Sequence, residues 1–149
     1  MKYFTKERQQ LIVNAVKEAE LGTSGEIRVH IDKTCRGDVL DRAVAIFRKL
    51  GMEHTQQRNG VLVYVAVKSH KVAIIGDEGV NAVVPKDFWN KVKDTLVSNF
   101  SQGLFVEGIS AAVTSVGEIL KQHFPHTDDD VNELPDDISF GDDAEDVAS

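Results

Sequence analysis

An uninterrupted run of apolar residues at positions 61–67 constrains the fold of this 149-residue chain more than any other feature. The run is rich in β-branched residues and lies between Gly60 and the turn at residues 68–70, which is typical of a central strand covered on both faces. Seven residues are too few to span a bilayer, and no other apolar run in the sequence is longer. The chain is therefore expected to bury a sheet between helices, and its length suits one domain.

Strand and helix patterns around this run predict the element order α-β-α-β-β-α-α. Polar and apolar residues alternate strictly over residues 26–32, and residues 71–76 are predicted to form a hairpin partner for the central strand. Four stretches show helical periodicity: residues 5–21, 38–50, 85–99 and 106–123. This order predicts an α/β fold, a three-layer αβα sandwich around a small mixed parallel and antiparallel sheet, within residues 1–125.

Charge is distributed unevenly along the chain. There are 17 basic and 24 acidic side chains, but ten of the acids and no lysine or arginine lie in residues 126–149. These residues are predicted to form a disordered acidic tail, which either solubilises the chain or folds back on the mildly basic body. Because such a tail repels phosphates and the body has no basic stripe, a nucleic-acid partner is not expected.

The single cysteine and the first residues bear on compartment and anchoring. Cys35 alone cannot form an intrachain disulfide or a cysteine-rich zinc site. Residues 1–8 contain no apolar segment of the kind found in signal peptides, so we expect neither export nor a membrane anchor, and we predict a cytoplasmic location. The sequence contains no Walker loop, nucleophile elbow or dinucleotide-binding fingerprint.

The strand order brings several oxygen-bearing side chains to one end of the predicted sheet. A helix joins the first two strands, which should therefore be parallel, and the hairpin reverses the third. The start of the first strand, the residue before the second and the residues after the third then share one end. These residues are Glu26, Asn59, Asp77 and Glu78, and Asp87 at the start of a helix is near enough to join them.

Carboxylate, amide and carbonyl oxygens suit a hard cation, so the sequence predicts a calcium or magnesium site at this end. Such an ion would also need backbone carbonyls and water. In the alternative interpretation, Asp77 and Glu78 cap the following helix and Glu26 pairs with a basic side chain. A second oxygen site at the opposite end, with Asp32, Asp38 and Asp41, is less favoured because Asp38 is explained as a helix cap.

One face of the first strand is polar at every position. Its residues are Glu26, Arg28, His30 and Asp32. If this strand lies at an edge of the sheet, its polar face is expected to be solvated, since edge strands are commonly kept charged. Otherwise this face is expected to form a functional wall beneath the last helix.

Several segments of the sequence resemble the TPM domain family. They are residues 24–29, 58–65 and 72–80, and Trp89, the Phe100-x-x-Gly103 segment, Gly108-Ile109 and Phe124-Pro125 fit the same pattern. The Asn-Gly pair before the second strand and the Gly-Asp-x-Gly after the third are its most telling part. Many family members carry a membrane helix or are exported, and this chain looks like a stand-alone form.

The resemblance implies an αβα sandwich with a divalent-cation site at Glu26, Asn59, Asp77 and Glu78. Two functions follow as expectations. In the first, calcium or magnesium orders loops at one end of the sheet of a regulatory or interaction module, and this changes the surface offered to a protein partner. In the alternative, the same acids hold an ion for a metal-dependent phosphatase acting on phosphate monoesters, with Arg28 or Arg58 as the anion clamp.

Overall fold

Four strands form the central sheet in this computed structural model, which describes residues 4–126 and 138–147. They are β1 (Glu26–Asp32), β2 (Gly60–Ala66), β3 (Lys71–Gly76) and β4 (Ser139–Phe140), arranged in the order β3-β2-β1-β4. As predicted, β2 is parallel to β1 and antiparallel to β3. Every residue of β2 is buried, which explains its continuous apolar sequence.

Five α-helices and two short 3-10 helices accompany the sheet in the described residues. They are α1 (Lys6–Glu20), α2 (Val39–Lys49), α3 (Glu78–Asn81), α4 (Phe88–Phe100) and α5 (Phe105–His123), with 3-10 helices at Met52–His54 and Asp142–Val147. The Thr5 hydroxyl caps α1, and the Asp38 carboxylate caps α2 by accepting from two backbone amides. None of the helices in these residues combines the length and the apolar character that crossing a bilayer requires.

The sheet separates two apolar cores. Ile27, Val29 and Ile31 point to one face, where they pack with α1, α4 and α5. Leu62 and Tyr64 point to the other face, where they pack with α2 and Met52. The arrangement is the predicted three-layer αβα sandwich around a mixed sheet.

The polar face of β1 differs from the prediction of a solvated surface. Glu26, His30 and Asp32 are all buried. The prediction was wrong because β4 pairs with the outer edge of β1 and because α2 supplies Arg42 as a partner for Asp32. Neither contact is visible in the local alternation of the strand.

The described part of the C-terminal region also differs from the prediction of a disordered acidic tail and agrees with the alternative in which this region folds back on the body. Ser139 and Phe140 pair in parallel with His30 and Ile31, and Ala144 is fully buried. Ile138 and Phe140 pack against the core beside α1, α4 and α5, so this stretch does bury apolar surface despite its acids. Residues 127–137 and 148–149 lie outside the described residues, and for them disorder stays a prediction.

Candidate functional site

The first strand, the residues before the second and the residues after the third meet at one end of the sheet. Glu26 is the register partner of Gly60, and its amide donates to the Asn59 carbonyl over 3.3 Å. The Asp77 amide donates to the Gly60 carbonyl over 2.9 Å. Chain topology thus brings Glu26, Asn59, Asp77 and its neighbour Glu78 to the same end. We call these four residues the rim cluster.

Three members of the rim cluster are buried oxygen-bearing side chains. Glu26, Asn59 and Asp77 are 3%, 2% and 6% exposed. The Asn59 side-chain amide donates to the Ser24 hydroxyl, and its backbone amide donates to the Thr55 hydroxyl, each over 3.2 Å. Burying a carboxylate is costly unless it is paired, so each of the two acids needs a compensating group.

Arg58 supplies that group for Asp77. Its Nε and Nη2 donate to the two carboxylate oxygens of Asp77 over 2.7 and 2.9 Å, a bidentate ion pair, and its Nη1 lies 3.3 Å from Glu78. The hydrogen bonds to Asp77 raise the pKa of Arg58 above its ordinary value. Asp77 also caps α3 by accepting from the Glu78 amide over 2.8 Å, as the alternative interpretation of the sequence predicted.

The backbone of this loop is held in an unusual conformation. Arg58 has φ 51°, in the left-handed region that residues with a side chain rarely occupy. Its carbonyl accepts from the Gly79 amide over 2.9 Å. A Cβ at Gly79 would overlap the carbonyl oxygens of Gln57 and Arg58, so a glycine is required where the two segments touch.

Asp87, the fifth predicted ligand, is engaged elsewhere. It lies at the N-terminus of α4, is largely exposed, and forms an ion pair with Lys91 over 3.1 Å. Within residues 4–126 and 138–147, no three histidine, cysteine, aspartate or glutamate side chains converge closely enough to hold a metal ion. The donor chemistry of the rim cluster suits a hard cation, but a guanidinium already holds Asp77.

A second buried aspartate lies at the opposite end of β1. Asp32 receives a bidentate pair of hydrogen bonds from Arg42, over 2.9 and 3.3 Å, one from the Tyr64 hydroxyl, and a contact of 3.0 Å from His30 Nε2. The His30 ring also stacks on Tyr64. Burial alone would raise the pKa of Asp32, but the hydrogen bonds from His30, Arg42 and Tyr64 outweigh it and hold the pKa well below its usual range.

Beside Asp32 lies a cleft of about 530 Å³ between the residues after β1, the start of α2 and the C-terminal segment. Five aspartates and two arginines line it: Asp32, Asp38, Asp41, Asp142, Asp143, Arg36 and Arg42. Sequence reasoning missed Arg42 and the two C-terminal aspartates. The helical register did place Arg42 four residues after Asp38, but no local pattern pairs a helix residue with a particular strand residue.

The helices and the mixed sheet form a single αβα domain, and this domain carries charged residues at both ends of its sheet. The chain belongs to the TPM domain family, whose family model matches residues 1–119.

Two solved structures show the same architecture. One is the NMR structure of the BA42 protein from the psychrophilic bacterium Bizionia argentinensis, which is 44% identical, with a TM-score of 0.87 over 94% of this chain and 97% of that one. The other is the N-terminal domain of the cg2496 protein from Corynebacterium glutamicum, 14% identical, with a TM-score of 0.62 over 78% of this chain and 74% of that one. The second likeness concerns the fold alone. A comparison with curated proteins gave no match.

Proposed function

We propose that this chain is a divalent-cation-binding regulatory or interaction module, in which calcium or magnesium binds the rim cluster and orders the loops around it. The observation that supports this best is that backbone hydrogen bonds bring Glu26, Asn59 and Asp77 from three separate segments to one end of the sheet, and that the oxygen-bearing side chains of all three are buried. A hard cation prefers ligands of this chemistry. Backbone carbonyls of the neighbouring loop and water would complete its shell.

In this proposal the ion competes with Arg58 for Asp77. The metal ion and the Arg58 guanidinium are both positive, so they would repel each other if they bound the Asp77 carboxylate at the same time. Arg58 is 42% exposed and can turn into solvent, whereas Asp77 is fixed by its bond to the Glu78 amide. Cation binding would thus replace one counter-charge by another and present a guanidinium at the surface, which changes what a protein partner meets.

The test is a titration of the full chain with Ca²⁺ and Mg²⁺ followed by amide NMR. We expect shifts at Gly60, Gly76 and Gly79, with an affinity on the order of micromolar to millimolar. Asp77→Asn should weaken binding about tenfold or more, because it removes a charged ligand. Arg58→Gln should strengthen binding, because it removes the competing charge. Asp94→Asn, a change of the same charge on an exposed acid of α4, is the matched control.

Two results would contradict the assignment. Binding that is unchanged or weaker in Arg58→Gln means that the ion does not compete with the guanidinium. Shifts centred on Thr34, Asp38 and Asp41 would move the site to the aspartate-lined cleft at the other end of the sheet.

Metal-dependent phosphatase activity on phosphate monoesters is the second proposal, and the geometry supports it less. An anion clamp needs an arginine directed at the phosphate, whereas Arg58 directs its donors at Asp77 and Glu78. The test is turnover of an aryl phosphate by the full chain. Metal-dependent turnover that disappears in both Glu26→Gln and Asp77→Asn would support phosphatase activity, and turnover that survives both would contradict it at this site.

A further inference from the structure

The C-terminal residues 138–144, which we call the tail segment, lie along the edge of β1 as an added strand. Ser139 and Phe140 pair with His30 and Ile31, and the Gly141 amide donates to the Ile31 carbonyl over 2.9 Å. The Ser139 hydroxyl lies 2.7 Å from His30 Nδ1. The tail segment therefore satisfies edge groups of β1 that would otherwise face solvent.

Asp143 fixes the far end of the tail segment. One carboxylate oxygen accepts from the Lys33 amide over 3.1 Å, and the other accepts from the Thr34 amide and hydroxyl over 3.1 and 2.8 Å. Ala144, the next residue, is completely buried. Three hydrogen bonds to one carboxylate and a small side chain in an apolar pocket make this contact specific in register.

Gly141 fits a position that allows no side chain. A Cβ at this residue would overlap a carboxylate oxygen of Asp32, which β1 and Arg42 hold in place. The tail segment thus has a recognisable pattern: apolar residues at Ile138 and Phe140, a glycine over Asp32, and an acid two residues later. The apolar residues pack against the core, the glycine lies over Asp32, and the acid accepts hydrogen bonds from the residues that follow β1.

The contact is short compared with the ladder that holds the rest of the sheet. It contains two paired residues, whereas β1 and β2 pair over seven. Eleven residues separate His126 from Ile138, so the tail segment is tethered near its site. Joining two groups through a link of this length gives an effective concentration on the order of millimolar, which favours docking even when the intrinsic affinity is modest.

We propose that the edge of β1 from His30 to Thr34 is a binding site for an extended segment of a partner protein, and that the tail segment is its built-in competitor. The partner segment adds to β1 as a parallel strand and carries the same chemistry: alternate apolar residues, a glycine and then an acid. The partner has to displace the tail segment, so access to β1 is autoinhibited. This inference does not depend on the cation proposal, because the contacts involve no rim-cluster residue.

The test uses the full chain and a fluorescent peptide corresponding to residues 138–149. Gly141→Val and Asp143→Ala should each release the tail segment, the first by steric overlap and the second by loss of three hydrogen bonds. Both should bind the peptide about tenfold or more tightly than the wild type, since the competing effective concentration is removed. Asp142→Ala is the matched control: it removes the same charge from an exposed neighbour and should behave like the wild type.

Amide NMR supplies the structural readout. We expect the Lys33 and Thr34 amides to shift in Gly141→Val and Asp143→Ala and to return when the peptide is added. Amides of β3, which lies at the opposite edge of the sheet from the tail segment, should stay unchanged, and this verifies that the body is folded.

Three outcomes would overturn the proposal. They are equal binding of the peptide by the wild type and both released variants, absence of binding by both variants, and unchanged Lys33 and Thr34 amides in both. If the wild-type chain forms dimers at micromolar concentration and the Lys33 and Thr34 amides shift on dimerisation, the occupant of the β1 edge is a second copy of this chain and not a partner protein.

Discussion

At the scale of single residues, the buried aspartates at the two ends of the sheet are stabilised in the same way. Asp77 and Asp32 are each held by a bidentate arginine and by at least one further donor. The arginine heads remain partly exposed while the carboxylates are buried. Burial of a charge is tolerated at each end because its partner and its hydrogen bonds are provided by the fold.

The lowered pKa of Asp32 predicts a specific loss of stability in acid. Its folded pKa lies below the ordinary value of about 3.9, so the unfolded state binds the proton first and the free energy of unfolding falls as pH decreases below about 4. We expect Asp32→Asn to be less stable at neutral pH and to show a shallower decline between about pH 4 and pH 2. Urea unfolding across this range measures both, and Asp94→Asn, which removes the same charge from an exposed position on α4, is the matched control.

Residue-level chemistry was predictable where it is local. The cap by Asp38 was predicted correctly because the carboxylate and the two amides from which it accepts are three residues apart or fewer. The Asp32–Arg42 pair joins a strand to a helix, and the Arg58–Asp77 pair joins two loops, one of them with a left-handed backbone at Arg58. Neither requirement is written in a sequence pattern, so these two pairs could not be predicted.

At the scale of elements, α2 provides a test of how much a cap contributes. Asp38→Ala removes two hydrogen bonds from the start of α2 and should lower the free energy of unfolding by about 1 kcal/mol. Asp41→Ala removes the same charge from the first turn without removing the cap, and we expect a loss of a few tenths of a kcal/mol. Chemical denaturation of the two variants measures both losses in the free energy of unfolding. Equal losses would contradict the role of Asp38 as a cap.

The longer elements were predictable because in each of them buried apolar residues recur with the period of a helix or a strand over its whole length. The boundaries of β1 were predicted correctly from alternation alone, and α5 was predicted to within one residue at its start. In contrast, β4 has two residues and lies among acids, so it has no period to detect. It forms because β1 offers an edge and a pocket, which are properties of the assembled sheet.

At the scale of the whole molecule, the two cores share one sheet, so we expect them to unfold as one cooperative unit. Leu62 contributes to the core under α2 and Ile27 to the core under α1, α4 and α5, and each is at most 1% exposed. Leu62→Ala and Ile27→Ala should each lower the free energy of unfolding by about 2–5 kcal/mol.

If the two cores unfold together, a mutation in either core should affect the whole domain. In both variants the fluorescence of Trp89 on α4 and the far-ultraviolet circular dichroism should report one coincident transition. A Leu62→Ala variant in which the two signals separate would mean that the layer formed by α2 melts on its own.

The placement of the tail segment also bears on how the protein behaves when it is concentrated. An uncovered strand edge invites intermolecular pairing and aggregation, and natural sheets are protected against it. Residues 138–144 shield the β1 edge, and the exposed acids Asp142 and Asp143 in this stretch are expected to repel a second molecule. The colloidal stability of the chain therefore depends on a few residues beyond the family domain, and solubility should be monitored whenever they are altered.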